Sequence, residues 1–600
     1  MSEVNASRRV STEEHAAVRR RYWMGCGGFI LLALFVYLIG NSSIPLWDRD
    51  EPRYTVASRE MAQSGDWVRP TFLGEPRLNK PIFIYWLQAG SMKWLGESPF
   101  AARLPSAIAM TLTLSMLAYV LPKIVGRRRA FWTVFVLGSS VLVISAAKIA
   151  LTDAVLLLWI TTAQLCLYAI WRGKGTWLTC AIFAAAIGLA LLTKGPVVLA
   201  MLATTIAALA VLQWITPGRT QRRSFSGDSE SMMLAVSGKV LMVLAIIAAI
   251  GLPWVLAIEA RQPGWLVSTI GGEVVKRGTA PMENHGGWPG YYATLIWATF
   301  FPWSIFLIAA LVLGFKLRAS PFTRFALAAV VGPWVMLEIY ATKLPHYLLP
   351  AYPFLAFLVA NVISLARRRL TNSVSDKPYM IAVSIGAGVV TLVALGLVLI
   401  PAMSDGESGK HYFAMIAMMS FIIGSAWYAV FKLSEKRVVL AGAFMGLATM
   451  VGAVMLGVMY LPHTKALQVS ERVARVLADN GGTGPSTAGK VVMVGYKEPS
   501  LGFYQGGTIR EEEHADFLAR TPQENWPTWV VSDTTLWEAK PEQIKKQFKV
   551  LGRVRGLNVA QGPRADVTVL RRIATGNANF VIELPATRPI PEPPKNPLAN

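Results

Sequence analysis

The sequence is poor in charge and in cysteine. Only 16% of its 600 residues are charged, and its three cysteines are Cys26, Cys166 and Cys180. All three lie in or beside apolar runs, without the spacing of a metal knuckle, so we expect neither a disulfide framework nor a cysteine zinc site. A soluble multidomain protein of this length carries more charge, and the composition therefore excludes that class.

Two common sequence signals are also missing. The first twenty-odd residues are polar and show no apolar core followed by a small-residue cleavage site, so we expect the first apolar run to stay as a signal-anchor. We find no glycine-rich phosphate loop and no soluble nucleotide-sugar domain. The energy for any chemistry should therefore come from the substrate itself.

Apolar runs dominate the rest of the chain. Hydrophobic residues make up 54% of it, and the mean hydropathy is +0.44. Runs of about 20 apolar residues, the length that spans a bilayer, recur between residues 24 and 461, and we count roughly thirteen of them. The sequence therefore predicts a polytopic α-helical membrane protein with its transmembrane domain at 24–461.

The formal charge of +23 indicates membrane topology rather than nucleic-acid binding. If segment 1–23 is cytoplasmic and the side alternates at each span, every loop that falls inside is basic, as the positive-inside rule demands. These inner loops are 123–129, 171–175, 217–224, 315–324, 366–370 and 431–437. The same alternation places the carboxyl-terminal region outside the cytoplasm.

The same alternation of sides predicts that a set of charged residues lies at the outer membrane boundary. Charged groups near hydrocarbon are costly unless they are paired or face a wet cavity, so a cluster from several helices predicts a functional site. Any one of them alone is equally well read as an interfacial anchor or a helix cap. The set comprises Asp48, Asp50, Arg53, Lys80, Lys148, Asp153, Lys194, Glu283, His285, Lys343 and His346.

From residue 462 the composition changes to that of a soluble domain. The segments 491–496, 529–533 and 565–572 read as strands, and 469–480 reads as a helix. We therefore predict a small α/β domain at 462–580 on the periplasmic side. The proline-rich segment 581–600 is expected to be a disordered tail.

The first outer loop, 48–100, begins with the charge-dense string WDRDEPRYTVASREMAQ. Asp50 is placed to cap a helix that ends at Gly65, and Arg53 lies three residues later, where the two side chains can pair. A second apolar and aromatic segment, 80–96, suits a helix that lies in the membrane interface. Lys80 at its start would stand near the water boundary.

The chain resembles the bacterial aminoarabinose transferases that modify lipid A. The resemblance is carried by DRDEPRYTVASREMAQSGDWVRPTFLGEPRLNKPIFIYWL, LTDA, LLTKGP, ENHGGWPGYY and KLPHYLLPAYPFLA, and it spans nearly the whole chain. Those enzymes are membrane-embedded C-type glycosyltransferases related to the protein O-mannosyltransferases. The resemblance implies their fold, with thirteen spans and an outer carboxyl-terminal domain.

The resemblance also implies an activity. It is the transfer of a sugar, aminoarabinose or a related one, from a polyprenyl phosphate carrier to lipid A or a similar envelope acceptor at the periplasmic face of the inner membrane. It places Asp50, Arg53, Lys80, Asp153 and Tyr347 around the carrier phosphate and the reacting centre. Many relatives have Glu-Lys-Pro where this chain has Asn79-Lys80-Pro81, so a carboxylate that would face a metal or the donor sugar is missing.

The chemistry of such a transfer assigns roles to the charged residues. Fixed cations stabilise the charge that develops on the leaving phosphate, and the candidates are Arg53, Lys80, Lys194 and Lys343. Asp50 or Asp153 would be the general base for a hydroxyl acceptor, whereas an ionised phosphate acceptor needs none. Asp50 would then organise the basic cluster and stabilise cationic character on the sugar.

No cofactor is required by this scheme. Glu283 and His285 together leave room for a divalent metal ion. Two other readings stay open at this point. One is an enzyme that glycosylates a protein or another glycan, with Asp50 as its base. The other is a lipid or solute transporter, although we find no internal repeat and the polar cluster lies at one face instead of the midplane.

Overall fold

The computed structural model describes residues 2–47, 49–216, 229–269, 271, 286–366, 377–399, 409–558 and 562–573. The described chain divides into two compact units, the first ending at Lys465 and the second beginning at Ala466. The sequence analysis placed this boundary between residues 461 and 462. The predicted tail at 581–600 lies outside the described residues.

Within the described residues, the first unit is built from helices, with one small hairpin. The hairpin pairs β1 (Thr71–Phe72) with β2 (Glu75–Pro76). Its helices are α1 (Ser2–Leu38), α2 (Asp50–Ser64), α3 (Phe83–Leu95), α4 (Pro99–Val120), α5 (Pro122–Val125), α6 (Arg127–Gly138), α7 (Val141–Ala147), α8 (Asp153–Trp171), α9 (Trp177–Lys194), α10 (Val197–Trp214), α11 (Ser229–Arg261), α12 (Trp265–Ser268), α13 (Tyr291–Thr299), α14 (Leu307–Lys316), α15 (Pro321–Ile339), α16 (Tyr352–Ala366), α17 (Lys377–Leu399), α18 (Gly409–Ser434) and α19 (Val438–Met455).

This unit makes the chain a multi-pass membrane protein. Among the described residues, ten helices are long and apolar enough to cross a bilayer, or up to eleven if α6 and α7, which meet at a 64° bend, form one broken span. The two other predicted spans fall on α17 and on the shorter apolar stretch Trp303–Lys316. A predominantly helical membrane fold is therefore confirmed.

Small residues let some of these helices approach closely. At Gly332 in α15, an added Cβ would lie only 2.3 Å from the carbonyl oxygen of Thr204 in α10. Glycine removes that clash, and such close backbone contact is a usual source of attraction between helices in lipid. The sequence therefore permits at this point a contact that any larger residue would break.

The second unit contains a five-stranded mixed sheet with short helices. The sheet order is β4-β3-β5-β7-β6, in which β3 runs parallel to β4 and β5, and β7 runs antiparallel to β5 and β6. The strands are β3 (Val491–Val494), β4 (Arg510–Glu512), β5 (Trp529–Asp533), β6 (Phe548–Asn558) and β7 (Gly562–Arg572), and the helices are α20 (Val469–Asp479), α21 (Pro499–Gln505), α22 (Phe517–Arg520), α23 (Thr534–Glu538) and α24 (Glu542–Lys545).

The predicted α/β domain is confirmed in outline. Strands β3, β5 and β7 and helix α20 stand where the sequence pattern placed them, because each has an apolar period that buries one face or both. Strands β4 and β6 were not predicted from the sequence. Strand β6 reads FKVLGRVRGLN, in which polar residues and two glycines interrupt the alternation that marks a strand.

Candidate active site

A cleft opens in the first unit where several helices begin or end. Helix α8 begins at Asp153 and α9 ends at Lys194, so these consecutive helices bring both residues to the same end of the bundle. The lining residues are Asp50, Arg53, Tyr54, Arg77, Asn79, Lys80, Leu151, Thr152, Asp153, Lys194, Leu344, His346 and Tyr347. Six of the nine residues predicted for the site therefore meet in one place: Asp50, Arg53, Lys80, Asp153, Lys194 and Tyr347.

The start of α2 supplies one wall of the cleft. The residue before the helix, Arg49, has a φ of 76° and makes no side-chain capping bond, while Asp50 is the first helical residue. The prediction that Asp50 caps the helix is therefore wrong. Its carboxylate instead faces the cleft and lies 3.9 Å from Arg53, and it is 46% exposed. The predicted end of the helix at Gly65, which has a φ of 72°, is confirmed.

The opposite wall contains a tight ionic cluster. The Lys194 ammonium donates to Asp153 Oδ1 at 2.6 Å, and His346 Nε2 lies 3.6 Å from Asp153 Oδ2. The same ammonium lies 4.7 Å from the ring centre of Tyr347. Asp153 is only 8% exposed, so its charge is held mainly by these partners rather than by water. Asp153 thereby fixes the position of Lys194.

The loop between α2 and α3 supplies the remaining cations, Arg77 and Lys80. Three tryptophan indoles hold this loop by donating to its backbone carbonyls. Trp86 donates to Trp67, Trp254 to Val68 and Trp265 to Leu78, at 2.7, 3.0 and 3.1 Å. The last of these bonds fixes the chain immediately before Asn79 and Lys80. The cations of this loop are therefore carried by an anchored backbone.

Tyr54 and Arg77 line the cleft but were not predicted from the sequence. Tyr54 follows Arg53 in α2, and the Arg77 guanidinium lies 5.5 Å from its ring centre. Burial raises the pKa of Tyr54 well above its usual range, so its hydroxyl stays neutral. His346, which we placed only at the outer boundary, contacts Asp153 directly. Arg77 lies in the charged string GEPRLNK, three residues before Lys80. This position is the sequence signal that could have identified it.

Three residues predicted for the site do not appear among those that line the cleft. Lys343 is 6% exposed and its ammonium is turned toward the carbonyls of Gly287 and Trp288, at 3.2 and 3.3 Å, with Glu338 at 3.9 Å. It therefore anchors the turn before α13, and we give it no contact with phosphate. Glu283 and His285, the predicted metal ligands, lie outside the described residues, as does Asp48.

The charges of the cleft favour an anionic ligand. Among its described lining residues, Arg53, Arg77, Lys80 and Lys194 are cationic, whereas only Asp50 and Asp153 are carboxylates. Arginine can bind phosphate oxygens in pairs and lysine binds them as a point charge. Together with the apolar helices, this cleft defines a class of protein: a polytopic membrane protein with a mainly cationic cleft at one end of its helices.

Comparison with known proteins identifies the family. Residues 26–269 match the family model described as dolichyl-phosphate-mannose-protein mannosyltransferase. A relative from Edwardsiella ictaluri, named undecaprenyl phosphate-alpha-4-amino-4-deoxy-L-arabinose arabinosyl transferase, is 30% identical over 419 residues, which are 68% of this chain and 71% of the relative. The chain belongs to the family of these arabinosyl transferases.

Other relatives match over a shorter span. A protein of the same name from Yersinia enterocolitica is 32% identical over 345 residues, which cover 56% of this chain and 58% of that relative's length. A crystal structure of ArnT from Cupriavidus metallidurans in the apo state superimposes with a TM-score of 0.68 at 19% identity, covering 90% of this chain and 98% of that one. This likeness shows that the two chains share a fold.

Proposed function

We propose that this protein is an integral membrane glycosyltransferase that moves a sugar, aminoarabinose or a related one, from a polyprenyl phosphate donor to lipid A or a similar envelope acceptor. One observation carries the proposal: four cations from separate parts of the first unit converge beside two carboxylates at the ends of membrane helices. A polyprenyl chain stays in the bilayer, so its phosphate has to be met at such helix ends. The named activity of the relatives is consistent with this chemistry.

The cations act on the leaving group. As the bond between the anomeric carbon and the phosphate oxygen breaks, its electron pair stays on that oxygen and the phosphate gains negative charge. Lys80, Arg53 and Lys194 stabilise this charge because they are held in place before the reaction begins. Arg77 lines the same cleft and adds to the positive potential. The acceptor oxygen then forms the new bond to the anomeric carbon.

The two carboxylates take different roles because their surroundings differ. Asp153 is nearly buried and lies 2.6 Å from Lys194, so it positions that cation. Asp50 is 46% exposed and only loosely paired with Arg53, so it can meet the substrate. With a phosphate acceptor, no proton needs removal, and Asp50 stabilises cationic character on the sugar. With a hydroxyl acceptor, Asp50 takes the hydroxyl proton.

The proposal includes the orientation of the chain. The basic loops 123–129, 171–175 and 431–437 face the cytoplasm with the amino terminus, so the cleft and the second unit face the periplasm. A reporter fused after residue 470 should then be active only outside the cytoplasm. Activity of the cytoplasmic reporter at this position would contradict the orientation. A divalent metal at Glu283 and His285 stays a prediction, and the scheme above uses none.

Mass spectrometry of lipid A and other envelope glycolipids, from cells with and without the protein, tests the function. We expect a sugar-modified glycolipid that is present only with the protein, and its mass identifies the sugar and the acceptor together. Sugar found on a periplasmic protein instead would change the acceptor to a hydroxyl. Identical glycolipid and glycoprotein profiles in the two strains would contradict the proposal.

A further inference from the structure

The turn between α7 and α8 carries Asp153 to the cleft, and its geometry is set by side chains from other helices. Ala150, at the centre of this turn, is fully buried. Buried backbone groups need hydrogen-bond partners, since an unpaired one loses its bonds to water without replacement. Both polar groups of Ala150 find partners beyond the turn.

Two side chains hold Ala150 from opposite sides. Its N–H donates to Glu51 Oε1 at 2.9 Å, and its carbonyl accepts from Gln88 Nε2 at 3.0 Å. Glu51 belongs to α2, where it directly follows Asp50, and Gln88 belongs to α3. Ser58 of α2 donates to Gln88 Oε1 at 2.9 Å, so the two helices and the turn form one connected network.

Glu51 is itself fixed by a buried arginine. Arg103 of α4 donates through Nε and Nη2 to the two carboxylate oxygens of Glu51, at 2.7 and 2.8 Å. Its other bonds go to the carbonyls of Asn41, Ile44 and Pro45, which lie between α1 and α2. All five N–H groups of the guanidinium are thus used. Glu51 also accepts from Trp47 N–H at 2.8 Å.

A further contact ties the turn to α1. The ammonium of Lys148 donates to the carbonyls of Val36 and Ile39 at the end of that helix. Lys148 therefore holds the beginning of the turn, while Glu51 and Gln88 hold its centre. The turn has little freedom to move relative to the start of α2.

We infer that Glu51 and Gln88 are positioning residues that fix the distance between the two carboxylates of the cleft. This inference rests on the proposed function. Glu51 is adjacent in sequence to Asp50, and Ala150 lies three residues before Asp153, so the network links both walls by short, buried bonds. A displacement of about 1 Å between reacting groups can lower a rate about 100-fold.

The chain offers a matched pair of variants. Gln88 and Gln164 are both buried glutamines, 0% and 1% exposed, and Gln88→Leu and Gln164→Leu change volume and polarity alike. Gln164 donates to Thr205 at 2.8 Å and lies eleven residues along α8 from Asp153, about 16 Å at 1.5 Å per residue. It is therefore a control for the loss of a buried glutamine away from the cleft.

The assay measures transfer from polyprenyl phosphate-linked aminoarabinose to lipid A by the purified full-length protein. For Gln88→Leu we expect kcat to fall about 10-fold, with the donor KM within about threefold, because Arg77 and Lys80 lie on the loop that the tryptophan indoles hold independently of this turn. Gln164→Leu should keep kcat within about twofold. Glu51→Gln should lower kcat by about 100-fold, and if it does not fold, Gln88→Leu decides the question.

Hydrogen exchange supplies a second readout. The amides of residues 150–152 should exchange faster in Gln88→Leu than in Gln164→Leu when both are compared with the wild type. Equal losses of kcat in the two glutamine variants, or unchanged exchange at the turn, would overturn the positioning role alone. No transfer by the wild type with this donor or with a neutral pentose donor would overturn the proposed function, and the positioning role with it.

Discussion

The helical unit and the carboxyl-terminal unit both contain carboxylates paired with cations at short distance, but the two settings differ in burial. In the helical unit, Glu51 and Arg103 are 1% and 0% exposed at 2.7 Å. In the second unit, Asp566 lies 2.6 Å from Arg553, and these side chains are 32% and 41% exposed. Similar distances therefore accompany very different environments.

The comparison teaches that burial, not distance, decides what an ion pair contributes. Water solvates the two charges of an exposed pair whether or not they are in contact. Such a pair therefore adds only about 0–1 kcal/mol to the stability of the fold. A buried pair is expensive to assemble, and removal of one partner leaves a charge that costs about 3–5 kcal/mol. We expect the removal of a buried partner in the helical unit to be severe and the removal of an exposed partner on the sheet to be mild.

The largest effect should come from the residues that face the substrate. Lys80→Ala and Asp50→Ala should each abolish sugar transfer, since one removes a cation from the leaving phosphate and the other the exposed carboxylate. Quantitative immunoblotting of membranes should show that both variants are retained. Full activity in both would refute the assignment of the site.

A smaller loss of activity should follow from a change at the opposite wall, which contains Asp153 and Lys194. Lys194→Met keeps much of the side-chain volume but removes the ammonium that pairs with Asp153. We expect kcat to fall by about 100-fold, as for the removal of one preorganised charge donor. Steady-state kinetics with a lipid-linked donor would measure it. A variant with wild-type kcat would show that Lys194 serves the fold rather than the leaving group.

A measurement of protein stability tests the buried pair of Arg103 and Glu51. Arg103→Met leaves the Glu51 charge without its guanidinium, so the free energy of unfolding should fall by about 3–5 kcal/mol. Thermal unfolding in detergent, followed by tryptophan fluorescence, would show the shift. Arg53→Met is the control, because its pair with Asp50 is long and partly exposed, and it should lower the stability by less than about 1 kcal/mol.

The smallest effect should come from the exposed cluster of the second unit. Hydrogen bonds from Arg553, Thr534 and Arg555 lower the pKa of Asp566 from 3.8 to about 2. A carboxyl with a lowered pKa stabilises the fold above its unfolded pKa, and the contribution is lost as the pH falls through the folded value.

For Asp566→Asn we expect a loss below about 1 kcal/mol at neutral pH, after allowance for solvent screening. The difference from the wild type should shrink between about pH 4 and pH 2 and vanish below it. Hydrogen exchange of the β6 and β7 amides in the full-length protein would measure this stability difference at each pH. A stability difference that grows as the pH falls would contradict the predicted direction of the pH dependence. Reduced sugar transfer by Asp566→Asn would contradict the expectation that changes on the exposed sheet are mild.

Much of the fold could be predicted because its signals are local. Long apolar runs mark the membrane helices, and the short apolar runs in VVMVGY and WVVSD mark two buried strands of the sheet. The cluster at one face followed from alternating topology. Six residues of that cluster line the cleft, together with Tyr347, which the family resemblance adds.

The rest depended on contacts between distant segments. Glu51 is one of several charges in DRDEPR, and only the fold pairs it with Arg103, 52 residues away. The arginine itself was a usable signal, because it stands within the apolar run FAARLPSAIAM, where a charge needs a partner. Lys343 was misleading because it is also a charge that needs partners near the membrane. The carbonyls of Gly287 and Trp288 are those partners, and the side chain does not line the cleft.

The central claim is that the cleft transfers sugar from a polyprenyl phosphate carrier. The most direct measurement is the release of free polyprenyl phosphate from a lipid-linked sugar by purified protein in the presence of lipid A, compared with Lys80→Ala. We predict acceptor-dependent release by the wild type and almost none by the variant. Equal release by both proteins, or none by the wild type with any lipid-linked sugar, would contradict the account.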